Sequence, residues 1–410
     1  MSLASPSVNF LITLLGLAIL IGFFGGRLGK KIFKAPQVVG FIIIGLLLGK
    51  SFLGIFNEQT LNSLDMISSF ALAFIGFAIG GEMSIAVFKK LGKSIFTITI
   101  LESLGAFIFV TIAIYACTQK LTVALLFGAL ASATAPAATV DVLREYESSG
   151  PLTTTLYAVV GLDDAAAIII YAFSAVMIKT LLAHQNISSA LHLLEGPLLE
   201  IGRSLFIGIL VGAILAYTIK KIHDREALMI LGIGSIALCT GLASMFHSSL
   251  ILSNMAMGAT VININKRTEI FDVVQRITPP IFVLFFILAG ARLQISLLAK
   301  LGLIGLAYII NRVLGKSIGT WVGGRVSNAP ETVRKYLGFC LLSQAGVAIG
   351  LSIQALSDFQ PYGAAGRELG LLAINVIAGT TLIFQIIGPP FTKWAIFKAN
   401  EVPEEKRELG

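Results

Sequence analysis

Charged residues are scarce in this chain. Asp, Glu, Lys and Arg make up 13% of its 410 residues, whereas soluble globular proteins carry about 25%. No stretch is both long and polar enough to form a soluble domain. Apolar runs of about 18 residues or more recur along the whole length, as transmembrane helices require, and the mean hydropathy is +0.89. The sequence therefore predicts one all-α, polytopic membrane domain in a lipid bilayer, without an attached nucleotide-binding module.

Residues that bind metals or form disulfides are also few. Cys117, Cys239 and Cys340 lie scattered inside apolar segments and have neither metal-ligand nor redox spacing. The four histidines lie outside the apolar segments or at their edges, and no metal-ligand motif is present. We therefore expect neither an enzyme nor a cofactor. The N-terminus lacks the basic region and cleavage site of a signal peptide, so we expect the first apolar run to be retained as a helix.

The apolar pattern predicts about thirteen membrane spans. Their ranges are 6–25, 36–51, 64–83, 95–117, 121–143, 153–179, 199–220, 227–246, 248–264, 274–291, 301–325, 335–355 and 368–394. Lys and Arg concentrate in alternate loops, at 27–34, 89–93, 220–225, 266–276 and 325–335. The positive-inside rule places these loops in the cytoplasm. We expect a multi-pass protein of the cell inner (plasma) membrane, with the N-terminus outside and the C-terminus inside. This topology explains the net charge of +8 without a nucleic-acid partner.

Two of the predicted spans are interrupted in the middle. Span five carries Ser132, Thr134 and Pro136 in its centre, and span twelve carries Ser343 and Gln344 between glycines. Free backbone groups are tolerated at this depth only where they line a cavity. Small residues also serve close helix packing in membranes. However, the two spans lie seven apart, so equivalent helices would run in opposite directions. This arrangement indicates an inverted repeat with a transport site at the breaks.

Five charged residues lie in the middle part of predicted spans, away from the span ends. They are Glu102 in span four, Asp163 and Asp164 in span six, and Arg312 and Lys316 in span eleven. A charge at the bilayer centre costs about 2.5–3.5 kcal/mol on the insertion scale, so such residues are usually functional. Glu102 and Arg312 occupy corresponding places in the two repeats, and we expect them to pair. A pair of Arg312 with Asp163 is the rival. Lys316, one turn after Arg312, either snorkels toward a wet cavity or takes part in coupling.

The acidic pair directly follows the first broken helix. We therefore expect Asp163 and Asp164 to face its break, beside the oxygens of Ser132 and Thr134. Such oxygens suit a hard monovalent metal cation. Two neighbouring carboxylates in a low-dielectric site repel each other, which favours proton uptake by one of them. The sequence thus predicts a site that exchanges a cation for a proton.

Several segments together carry the pattern of one family. They are 132–139, 142–145, 150–152 and 161–164, with 36–40, 285–290 and 311–315. On these residues, and over nearly its whole length, the chain resembles the monovalent cation:proton antiporter family. The resemblance implies a sodium/proton exchanger fold, in which a core domain with two crossed, broken helices stands beside a dimerisation domain. It also implies elevator-type alternating access and a homodimer.

The resemblance also implies roles for single residues. Asp164 would be the main carboxylate for cation and proton, and Asp163 would pair with the basic residue of span eleven. Electrogenic relatives usually have Lys where this chain has Arg312, and Arg does not readily release a proton. We therefore expect one cation for one proton, with Lys316 as the alternative source of a second. Many relatives have Thr-Asp-Pro where this chain has Thr134-Ala-Pro, so that acid is missing.

The predicted organisation has five parts. They are scaffold or dimerisation helices in 1–94, the first half of the core in 95–180, linker and scaffold helices in 181–300, the second half of the core in 301–394, and a cytoplasmic tail in 395–410. The absence of a nucleotide-binding domain favours sodium as the cation, with lithium and potassium as alternatives. A sodium-coupled symporter of an organic solute on a similar fold is the competing function. A channel is disfavoured, because no filter segment is present.

Overall fold

The computed structural model describes residues 8–33, 37–183, 190–222, 224–265, 268–293 and 302–407. Within these ranges the chain is almost entirely helical, and its β-structure is one isolated bridge between Gly49 and Phe56. The helices, in chain order, are α1 Val8–Phe33, α2 Gln37–Leu48, α3 Glu58–Ser63, α4 Asp65–Glu82, α5 Ile85–Thr118, α6 Leu121–Ala131, α7 Pro136–Glu145, α8 Pro151–Leu182, α9 Ala190–Ile219, α10 Arg225–Met245, α11 Leu250–Asn265, α12 Glu269–Gln275, α13 Thr278–Ala291, α14 Gly302–Val326, α15 Glu331–Cys340, α16 Gly346–Phe359, α17 Gly363–Lys398 and α18 Glu404–Arg407. A 3-10 turn at Gln360–Tyr362 precedes α17.

Each of the predicted apolar segments falls on one helix or on two consecutive helices. In the part of the chain that the structure describes, six helices are long and apolar enough to cross a membrane, and the count is seven if α12 and α13, which meet at 52°, form one broken span. Helices α4, α6 and α11 are apolar but shorter. The all-α, multi-pass fold is therefore confirmed, whereas the number of crossings stays a prediction.

Helices α5 and α14 pack closely together and reveal the inverted repeat. A Cβ atom on Gly105 would lie 2.5 Å from the Gly315 carbonyl oxygen, and one on Gly315 would lie 2.6 Å from the Gly105 carbonyl oxygen. Only glycine permits this mutual approach of two backbones. Two turns further along α14, Gly323 meets Ile98, which lies earlier in α5. The two helices, which correspond to spans four and eleven, therefore run antiparallel.

The scaffold helices follow the same symmetry. Helix α2 packs on α13, and α4 packs on α11. Helices α2 and α13 correspond to predicted spans two and ten, and α4 and α11 correspond to spans three and nine. Matching spans of the two repeats lie seven apart, so two matches nine and three matches ten. An exchange of the two repeats therefore converts one helix pair into the other. The inverted repeat that was inferred from the position of the broken spans is thus present in the packing.

Both predicted breaks occur where the sequence places them. Helix α6 ends at Ala131 and α7 begins at Pro136, while α15 ends at Cys340 and α16 begins at Gly346. The two broken helices cross at their breaks. The backbone N–H of Ala135 donates to the carbonyl oxygen of Ser343 at 2.9 Å.

Candidate functional site

The chemistry of Pro136 explains the first break. The residue before a proline is disfavoured in the helical conformation, so α6 cannot continue through Ala135. Pro136 is nevertheless well suited to open α7, because a first-turn residue needs no N–H donor. In the second break, Ala345 adopts φ −156° and ψ −114° before α16 begins at Gly346. Both breaks thus expose backbone carbonyls in the middle of the bundle.

Arg312 donates hydrogen bonds to these carbonyls. Its side chain is fully buried, and its guanidinium donates to the carbonyl oxygens of Ala131 at 3.1 Å, Leu342 at 2.6 Å and Ala133 at 2.7 Å. The guanidinium also lies 4.5 Å from the centre of the Phe384 ring. The C-terminal ends of helices carry partial negative charge and unpaired carbonyls. Arg312 therefore acts as a shared cap for the first halves of both broken helices.

Lys316 binds the acidic residues. Its ammonium donates to the carbonyl oxygen of Ser132, to Thr134 Oγ1 at 2.9 Å and to Asp163 Oδ2 at 2.9 Å. Glu102 Oε2 lies 2.7 Å from the same nitrogen. Lys316, Glu102 and Asp163 are all fully buried. A lysine, two carboxylates and the first break therefore form one polar cluster.

These contacts correct three expectations. The predicted pair of Glu102 with Arg312 is wrong, and so is the rival pair of Asp163 with Arg312, because both carboxylates meet Lys316. The proposed snorkelling of Lys316 is also wrong, since its side chain has no exposure. Residues four apart share one face of a helix, so the sequence could place both bases on the correct face of α14. It could not say which turn of α14 lies level with the carboxylates.

Ser103 links the two carboxylates. Its Oγ lies 2.9 Å from Glu102 Oε1 and 2.8 Å from Asp163 Oδ1. Ser103 therefore holds the Glu102 and Asp163 carboxyl groups next to each other, beside the Lys316 ammonium.

Asp164 lies on another side of α8. Successive residues of a helix point about 100° apart, and Asp163 is turned toward Lys316. Asp164 is 6% exposed, in contrast to the completely buried Asp163. Asp163 thus contacts a base of α14, while the role of Asp164 as the main carboxylate for cation and proton stays a prediction.

Ser343 and Gln344 lie at the crossing of the broken helices. Gln344 Nε2 donates to the carbonyl oxygen of Leu130 at 2.9 Å and to the Tyr308 hydroxyl at 2.8 Å. Gln385 Nε2 in turn donates to the Gln344 carbonyl oxygen at 2.9 Å. These hydrogen bonds join the two broken helices to α14 and α17.

A family assignment agrees with this arrangement. Residues 15–394 match the family model described as the sodium/hydrogen exchanger, transmembrane. The chain belongs to the sodium/hydrogen exchanger family. The exchanger is therefore a membrane transporter, and this assignment favours cation:proton exchange over the competing sodium-coupled symport.

Three similar proteins illustrate the assignment. The Na(+)/H(+) antiporter of Enterococcus hirae is 25% identical over 334 residues, which cover 79% of this exchanger and 84% of that relative. Cation/H(+) antiporter 19 of Arabidopsis thaliana is 25% identical over 415 residues, covering 92% of this chain but 50% of the longer plant protein. The solved structure of the sodium proton antiporter MjNhaP1 from Methanocaldococcus jannaschii superposes with a TM-score of 0.76 at 20% identity, over 95% of this chain and 99% of that one. The last match shows a shared fold.

Three residues of the exchanger's buried hydrogen-bond network were not predicted from the sequence. Ser103 follows Glu102 directly in an apolar span, Tyr308 lies one turn before Arg312, and Gln385 is a polar residue within the last predicted span. Their signal in the sequence is that each is an uncharged polar residue inside an apolar span. Their hydrogen-bond partners lie on other helices and carry no signal along the chain.

Proposed function

We propose that this exchanger moves one monovalent cation, with sodium favoured and lithium or potassium as alternatives, in exchange for protons. The observation that carries the proposal is the Lys316 ammonium at the first break. It takes the oxygens of Ser132, Thr134 and Asp163, which are the ligands that a dehydrated monovalent cation needs. A protonated lysine thus stands where a cation of equal charge would bind.

Cation and lysine compete for these ligands in the proposed mechanism. A cation bound by Asp164, Asp163, Thr134 and Ser132 expels the ammonium from three of its oxygen partners. Two unit charges about 4 Å apart repel each other by about 4 kcal/mol at an effective dielectric constant of 20. This repulsion favours release of the lysine proton, since the charged form loses its stabilisation.

Two protons then leave for each cation. Asp164 releases one proton when it becomes a ligand, and Lys316 releases the other. The earlier expectation of one-for-one exchange rested on a pair of Asp163 with Arg312, whose proton is never released. Because Asp163 meets a lysine instead, we propose electrogenic exchange.

Alternating access requires a moving part and a fixed part. We propose that residues 95–180 and 301–394 form a core that moves as an elevator, because they hold the crossed breaks and every residue of the polar cluster. Residues 1–94 and 181–300 would form the scaffold and the interface of a homodimer. The Lys- and Arg-rich loops support an N-terminus outside and a C-terminus in the cytoplasm of the cell inner (plasma) membrane.

A proteoliposome assay tests the function. Purified protein is reconstituted with an internal pH dye, and sodium, lithium and potassium are added in turn. Wild-type protein should move protons against at least one of these cations. Asp164→Asn should abolish the signal while the protein remains folded and inserted, because the amide neither binds a proton nor balances the cation charge. A wild-type rate from Asp164→Asn would refute the assigned role.

A further inference from the structure

The helix that carries the acidic pair is capped by a residue from the far end of the chain. Leu152 N donates to Glu401 Oε1 at 2.6 Å, and Thr153 N donates to Glu401 Oε2 at 2.7 Å. Thr153 Oγ1 donates to the same Oε2 at 2.7 Å. The first N–H groups of a helix have no partner within it, and Pro151 has no N–H at all. Glu401 therefore satisfies both free donors at the start of α8, one with each carboxylate oxygen.

The local sequence leaves this place open for Glu401. Gly150, the residue before α8, has no side chain to cap the helix, and a Cβ there would lie 2.4 Å from Glu401 Cδ. The capping residues Ser, Thr, Asp and Asn that usually stand at this position would collide with the carboxylate. Glycine is thus needed for the approach of Glu401.

The segment after α17 is built to deliver the carboxylate. Asn400 adopts the left-handed conformation with φ 59°, which ends α17 and reverses the chain. Glu401 N then donates to the Ile396 carbonyl oxygen at 3.1 Å, and Ser149 N donates to the Glu401 carbonyl oxygen at 2.9 Å. Val402, 2% exposed, packs into an apolar cluster with residues of α7 and α8. The backbone and the side chains of this segment therefore both bind the turn between α7 and α8.

The same turn sets the position of the transport site. Helix α8 is continuous from Pro151 through the acidic pair, and at about 1.5 Å per residue Asp163 lies roughly 16 Å beyond Leu152 along the axis. A shift of the rigid helix moves both ends together. Asp163 depends on contacts of 2.9 Å to Lys316 and 2.8 Å to Ser103, and a displacement of 1 Å would break them.

We propose that Glu401 is a positioning residue for ion exchange, which fixes the axial register of α8 and thereby the place of Asp163 and Asp164. The inference rests on the proposed function of the acidic pair. It joins the end of the second repeat to the helix that carries the site in the first repeat. The segment after α17 then contributes to the position of the acidic pair in the core.

The test compares Glu401→Gln and Glu401→Ala with Glu404→Gln, a control at an exposed residue of the same segment. Glutamine keeps the shape but offers one acceptor oxygen, and its amide nitrogen faces a backbone donor. In sodium-driven proteoliposome assays, Glu401→Gln should raise KM for the cation at least threefold and shift the pH profile, and Glu401→Ala should do so more strongly. Glu404→Gln should leave KM and the pH profile unchanged.

Hydrogen exchange of the full-length protein gives a second readout that does not depend on transport. In Glu401→Gln, amide exchange should rise in the first turn of α8 and also around residues 161–165. A rise confined to the first turn, with unchanged KM and pH profile, would reduce Glu401 to a local cap and overturn the inference. If Glu401→Ala fails to fold, Glu401→Gln decides. If wild-type protein shows no exchange of ions, the proposed function fails, and the amide exchange along α8 alone decides the positioning role.

Discussion

Removal of the Lys316 charge tests the polar cluster most directly. Lys316→Met keeps an unbranched side chain but leaves Glu102 and Asp163, both fully buried, without their cation. Breaking a buried ion pair by removing one partner costs about 3–5 kcal/mol, because an uncompensated charge remains inside. We therefore expect Lys316→Met to lower the thermal stability of the detergent-solubilised protein strongly.

A double-mutant cycle identifies the partner. Glu102→Gln removes one of the stranded carboxylates, so Lys316→Met with Glu102→Gln should cost less than the sum of the single changes. The coupling should fall within about 0.5–3 kcal/mol, as for residues in one charge network. The cycle of Glu102→Gln with Arg312→Gln is the matched comparison, because Arg312 binds carbonyl oxygens. Its coupling should be smaller.

The loss of thermal stability in Lys316→Met should depend on pH in a definite direction. Stranded carboxylates regain neutrality by taking up protons, so the destabilisation by Lys316→Met should be largest at high pH and should shrink as the pH falls. Thermal unfolding followed by intrinsic fluorescence at several pH values measures both the coupling energies and the pH dependence of the destabilisation. Strict additivity of Lys316→Met with Glu102→Gln, together with a larger coupling of Glu102 to Arg312, would refute the arrangement of the cluster.

Two further predictions concern transport. Thr134→Ala should raise the apparent KM for the cation more than it lowers the maximal rate, because a neutral ligand chiefly stabilises the bound cation; an unchanged KM in proteoliposomes would assign Thr134 to packing. A sodium jump on a solid-supported membrane should produce a current whose sign follows two protons per cation, since Asp164 and Lys316 both release one. Active exchange without net charge transfer would contradict the release from Lys316.

The fold class could be predicted because its signals are local. Apolar runs, Pro136 and the small residues around Ser343 act on the backbone wherever the chain goes, so the helices and both breaks lie where the sequence places them. The spacing of the broken spans indicated an inverted repeat, which the antiparallel packing of α5 on α14 confirms. The number of crossings could not be fixed in this way, because several helices are shorter than a full span.

The site was only partly predictable. The sequence alone indicated that Glu102, Asp163 and Arg312 lie together in the core, since a charge inside a span must find a polar partner, but it left open whether Lys316 joins them. Tertiary structure decided which acid meets which base, because that depends on how far α5 and α8 are displaced along α14, and residues one turn apart look alike in a helical pattern. The cap of α8 by Glu401 likewise joins residues that only folding brings together, and no periodicity along the chain encodes such a contact.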